Sequence, residues 1–164
     1  MKAERQYPSV LPCRQNNWKE SKKENFVEEV IEILKKRKSK IVRIHESGDF
    51  YSIGYFRKWV KIARALPGYR FFCYTKRNDI LSPDTLRERP ANFKILFSHD
   101  GVAEKMNKET EKEYNTRARL LGFNGLSLVT KDYSTCPAQK NKEIKCGIDC
   151  MKCVDGKTVY FSIH

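Results

Sequence analysis

From Asn25 onward the chain alternates between two rhythms. Phe26, Val27, Val30, Ile31, Ile33 and Leu34 recur at spacings of three and four, which predicts an amphipathic helix with one apolar stripe. The helix runs into Lys35, Lys36, Arg37 and Lys38, cations that suit the negative end of a helix dipole. Ile41 to His45 is a β-branched run of strand length, and Ser47-Gly48-Asp49 is turn chemistry that stops it. Helical spacing returns from Tyr55 to Leu66 through Phe56, Trp59, Val60, Ile62 and Ala63, and Pro67-Gly68 closes it. The rhythm then repeats. Tyr69 to Thr75 reads as an aromatic-rich strand, Pro83 to Arg89 as a short helix and Phe93 to Ser98 as a third strand. Ala103 to Leu121 is a charged helix with a narrow face of Met106, Tyr114, Ala118 and Leu121, and Gly122 ends it. Leu126 to Thr130 predicts a fourth strand, and Thr158 to Ile163 a last one beyond a cysteine-rich stretch.

Strands separated by helices imply βαβ units and a mainly parallel sheet, so the fold class is α/β. Periodicity does not separate an open doubly wound sheet from a partial barrel. Residues 1 to 20, with Pro8 and Pro12, carry no clear period and read as an irregular lead-in. The expected division is an α/β domain over residues 1–132, with a cysteine-rich metal-binding appendage over 133–164 packed on it.

Composition narrows the partners. Lys and Arg number 33 against 20 Asp and Glu in 164 residues, a net charge of +13, which favours a polyanion such as nucleic acid. Apolar stretches all fall short of the roughly 20 residues of a spanning helix, and MKAERQYPSV lacks the apolar core of a signal peptide. No membrane partner is expected, and the expected compartment is the cytoplasm. There, six cysteines read as ligands, nucleophiles or core residues before disulfides. Oligomeric state has no sequence signal. Aromatics fall in the predicted core rather than along the basic run at 35–43, so no base-stacking platform is expected.

In either parallel architecture, ligands bind at the carboxyl ends of the strands. That edge collects His45, Glu46, Ser47, Gly48 and Asp49; Tyr74, Thr75, Lys76 and Arg77; Ser98, His99 and Asp100; and Thr130, Lys131 and Asp132. Imidazole beside carboxylate suits acid or base chemistry near neutral pH, which makes His45 and Asp49 the catalytic candidates. Polar residues also flank strands in any α/β fold simply because loops are solvated. The motifs G-x-x-x-x-G-K-[ST], G-x-G-x-x-G and G-x-S-x-G do not occur, so phosphate-cradling loops and a nucleophile elbow are not signalled.

The strongest chemical signal is Cys136, Cys146, Cys150 and Cys153 in the spacing C-x9-C-x3-C-x2-C. Short gaps let three thiolates converge, and the longer loop can return Cys136 as a fourth ligand. Thiolates alone suit tetrahedral zinc or an iron-sulfur cluster. Three close cysteines and a remote Cys-Pro favour [4Fe-4S], with zinc as the alternative. C-x3-C-x2-C is also the spacing of radical S-adenosylmethionine enzymes, although there it follows the first barrel strand and here the fourth. His164, at the chain end, reads as a terminal surface residue first and as a substitute ligand second.

The segments Val42-Arg43-Ile44-His45-Glu46-Ser47-Gly48-Asp49-Phe50-Tyr51-Ser52 and Phe72-Cys73-Tyr74-Thr75-Lys76, with Tyr55, Trp59, Ile62-Ala63-Arg64 and the closing Cys-Pro and cysteines, resemble the phage gene product 88 family over roughly residues 25 to 164. The resemblance implies a phage or mobile-element protein and gives weight to His45, Ser47, Asp49, Tyr74 and Lys76, the last two and Ser47 as binding residues. It implies no reaction. The family often begins with a second cysteine-rich segment; only Cys13 stands there in this chain. The expected function is an iron-sulfur protein acting on or alongside nucleic acid. The alternatives are a zinc-stabilised module binding nucleic acid or a host protein, and an enzyme of the radical S-adenosylmethionine type.

Overall fold

Five strands lie side by side in sequence order, β1 (Ile41–Ile44), β2 (Arg70–Thr75), β3 (Phe93–Ala103), β4 (Gly125–Thr130) and β5 (Val159–Ser162), every neighbouring pair parallel. The structure is a computed structural model and describes residues 7–45, 48–103, 108–130, 134, 136–145 and 148–162. Because the order never reverses, the sheet is singly wound and curls into a half-barrel. This selects the partial barrel over the doubly wound sheet, which requires a switch in strand order.

The helices are α1 (Val10–Lys22), α2 (Phe26–Lys35), α3 (Ile53–Ala65), α4 (Pro83–Arg87), α5 (Lys108–Leu120) and α6 (Pro137–Lys140). Ser52 and Ser82 start α3 and α4 by accepting the amide hydrogens of Tyr55 and Thr85, the usual role of an N-cap serine. Strand side chains alternate between two cores. Ile44, Phe71, Cys73, Phe93, Ile95, Leu126, Leu128 and Tyr160 face the helices, where Phe26, Phe56, Val60, Ile62, Leu86 and Ala118 meet them. Phe72, Leu96 and Val159 face the other way, against Cys153 and Val154. The cysteine-rich stretch therefore covers the inner face of the sheet, and its chain end supplies β5.

Several local expectations change. The lead-in is helical: α1 occupies residues expected to be irregular, and Pro12 fits because it lies in the first turn, where an amide hydrogen has no helical partner. The helix hid from periodicity because it buries only Ser21. Ile33 leaves the α2 stripe and is exposed. Strand β3 runs on to Ala103, with its register against β4 shifting between Ser98 and Val102, so Ala103 belongs to a strand and not to the expected helix; α5 covers Lys108–Leu120, and Met106 lies outside the described residues. At the opposite edge, Gly125 and Gly156 allow a close crossing. A Cβ on Gly125 would lie 2.6 Å from the Gly156 carbonyl oxygen, and one on Gly156, at φ 73°, would lie 2.7 Å from Asn124 Cβ.

Candidate functional site

Beyond β1 the chain turns sharply. His45 has φ 62°, a left-handed conformation uncommon outside glycine, and this places its half-buried ring among aromatics. The ring lies edge-on to Phe50 at 4.8 Å and tilted to Tyr55 at 5.7 Å. Nε2 is 3.3 Å from the Tyr55 hydroxyl, whereas Nδ1 is buried with no hydrogen-bond partner. Burial pushes the His45 pKa down, and the charge of Asp49 offsets this only in part. The site thus holds a neutral imidazole at pH 7, able to accept a proton or a soft ligand.

Asp49 fastens the same edge. Oδ1 accepts from the Thr75 hydroxyl at 2.6 Å and from the Phe50 amide at 2.7 Å, while Oδ2 accepts from the Lys76 amide at 2.7 Å. Thr75 is only 1% exposed, so its hydroxyl depends on that carboxylate. The amide of Arg77 donates back to the Thr75 oxygen, and its guanidinium reaches the Phe50 carbonyl at 3.0 Å while forking onto Asp79. Asp49 is therefore a clamp tying the β1 turn to the end of β2. His45 and Asp49 are neighbours whose hydrogen bonds run to different partners, not a hydrogen-bonded dyad.

Tyr74 belongs elsewhere. It projects from β2 onto the inner face, where its hydroxyl donates to Cys153 Sγ at 2.7 Å and its ring meets Phe161 at 6.2 Å. The Arg43 guanidinium lies 5.2 Å from the ring centre. Cys136 packs against the same inner cluster as Cys153, and Cys150 is half-buried. Cys146 and Ser47 lie outside the described residues, as do Glu46, Lys131, Asp132 and His164. Among the described residues, no three Cys, His, Asp or Glu side chains gather as a metal-ligand group. Cys73 sits wholly buried in the helix-side core, where desolvation pushes its thiol well above the ordinary value; it is an inert packing residue. Cys13 is exposed on α1.

The expected site residues thus fall into two sets on opposite faces. His45 and Asp49 lie at the carboxyl edge on the helix side, where Lys76 takes part through its backbone amide, while Tyr74 faces the cysteines. His99, also on the helix side, lies edge-on to Tyr114 of α5 at 5.3 Å. Kinship is decided by the family profile described as Gene product 88, which matches residues 1–160. The chain belongs to the Gene product 88 family. No curated protein matches it, and no solved structure does. The Gene product 88 match spans both sets, including all four C-terminal cysteines. Sequence reasoning passed over Tyr55 and Thr75 as partners of His45 and Asp49. Tyr55 lies within a helical apolar stripe, and the signals for it are its hydroxyl and its place among the residues that carry the family resemblance.

Proposed function

We propose that the protein binds a [4Fe-4S] cluster through Cys136, Cys146, Cys150 and Cys153 and works on or alongside nucleic acid. The observation that carries the metal reading is the meeting of Cys136 and Cys153 in one apolar cluster, with a phenol hydroxyl aimed at the Cys153 sulfur. A hydroxyl donor favours the thiolate form that binds metal. The donor set is all sulfur, which fits iron-sulfur or zinc better than a hard cation. Since three described thiols do not yet form a ligand group, loading draws the segment together, as metal binding commonly orders small ligand loops. A bound cluster would supply one-electron transfer or a structural clamp.

The chain's own residues have separate tasks in this reading. Tyr74 holds the Cys153 sulfur, Lys145 and Lys152 offset the negative charge of the thiolates, and Asp49 fixes the carboxyl edge around neutral His45. Four cysteine ligands leave no open iron, and the segment lies between β4 and β5 over the inner face. Both points favour a closed centre over radical S-adenosylmethionine chemistry.

The test is metal analysis of the full chain purified without oxygen. Iron and acid-labile sulfide in equal amounts, about four of each per chain, with loss on Cys136→Ala or Cys153→Ala, are the expected result. One zinc and no iron replaces the cluster by a zinc site, and neither metal overturns the metal reading altogether. For nucleic acid, affinity should fall steeply as salt rises; no binding even at low salt removes that half of the proposal.

A further inference from the structure

Helix α1 is out of keeping with the rest of the molecule. It buries Ser21 alone, yet it carries large apolar side chains turned outward: Leu11 is 45% exposed and Trp18 51%, with Tyr7 just before the helix at 56%. Leu11 and Trp18 are seven residues apart and so share a face. A soluble helix usually turns such residues inward. The Lys22 ammonium sits 3.3 Å from the centre of the Trp18 ring, a cation and an aromatic face presented together.

The surface continues onto the carboxyl edge. Tyr51 stacks flat on Tyr55, with centroids 4.5 Å apart and planes 11° from parallel. Its hydroxyl is 3.0 Å from Ser21 Oγ, which in turn donates to the Trp18 carbonyl. Tyr51 remains 38% exposed, so its ring is fixed on one side and open on the other. The Lys58 ammonium holds the end of α1 through the carbonyls of Ser21 and Lys23. Lys19 and Lys22 add positive charge along this stretch, whereas Lys23 is paired with Glu20.

We infer that α1 and Tyr51 form a stacking platform for single-stranded nucleic acid, with Trp18 and Tyr51 taking base faces and Lys19 and Lys22 taking phosphates. The inference rests on the nucleic-acid reading above and gives it a surface. Base faces are exposed in a single strand and hidden in a duplex, so flat rings beside cations select the former. Trp18 lies on a helix that the apolar pattern does not reveal, away from the basic run at 35–43, which is why the sequence alone predicts no platform.

The test uses the full chain and a fluorescently labelled oligothymidylate of about 15 nucleotides, with a duplex of equal length for comparison. Binding should quench tryptophan emission in the parent protein but not in Trp18→Phe. Trp18→Ala and Tyr51→Ala should each weaken single-strand binding about tenfold or more, with the salt slope and duplex binding unchanged. Trp18→Phe should keep most of the affinity. Trp18 is exposed, so its substitution leaves folding intact, and circular dichroism verifies this for Tyr51→Ala. If the oligonucleotide binds with strong salt dependence but both alanine variants stay within about twofold, the platform is wrong and the nucleic-acid reading stands. If neither strand form binds at low salt, both fail. Binding of parent but not Trp18→Ala to phosphatidylserine vesicles, with none to oligonucleotide, would also overturn the inference and assign the surface to membranes.

Discussion

His45 combines a strained backbone with a half-buried, unpaired ring nitrogen, and its protonation is coupled to folding. Burial lowers its folded pKa below the ordinary value of about 6.5, so the unfolded chain takes up the proton first and stability falls as pH drops below that value. The loss levels off only below the folded pKa. His45→Asn, which suits the left-handed conformation and does not titrate, should flatten the stability profile between about pH 7 and pH 5 relative to the parent; an unchanged urea-melt profile would refute the coupling. Asp49→Ala strips a buried hydroxyl and two amides of their acceptor and should cost about 2–4 kcal/mol in the same melts. A loss below about 0.5 kcal/mol would mean that Asp49 is not the clamp described. Both residues were legible as polar groups past a strand end. Their partners were not, because Thr75 and Tyr55 come from elements whose approach depends on the curl of the sheet, and a single sequence carries no distance between them.

At the scale of elements, the alternation of strand and helix could be read wherever a helix buried an apolar stripe, as α2 and α3 do. It failed where burial does not shape the pattern. Helix α1 keeps nearly all its side chains in water, so nothing imposes a 3.6-residue repeat, and its first turn tolerates the proline that suggested a break. The length of β3 was hidden for a related reason: beyond Ser98 the strand carries His99, Asp100 and Gly101, polar residues that look like a turn. The crossing before β5 makes a local prediction. Gly156→Ala puts a methyl group against Asn124 in a left-handed backbone and should destabilise by about 1–3 kcal/mol. Gly68→Ala, with open space at its Cβ, should stay within about 0.5 kcal/mol. Equal losses in thermal melts of the two variants would show that the crossing is not tight.

On the scale of the whole molecule, winding in one direction sets α2 to α5 against the outer side of the half-barrel, and the cysteine-rich stretch, which carries the short α6, supplies the cover of the inner side. Removing metal from protein loaded as proposed should therefore do more than bleach a chromophore. Chelation without oxygen is expected to raise binding of a hydrophobic dye and quicken proteolysis between residues 134 and 158, while α3 stays protected from hydrogen exchange; unchanged dye binding and cleavage would separate the metal from the cover. The chain has a cork that is also its proposed ligand loop. If the cluster binds as proposed, a copy made where iron or sulfide is scarce would hold its cover over Phe72 and Leu96 less firmly and meet proteases sooner, so the supply of a nutrient would set how long each molecule survives.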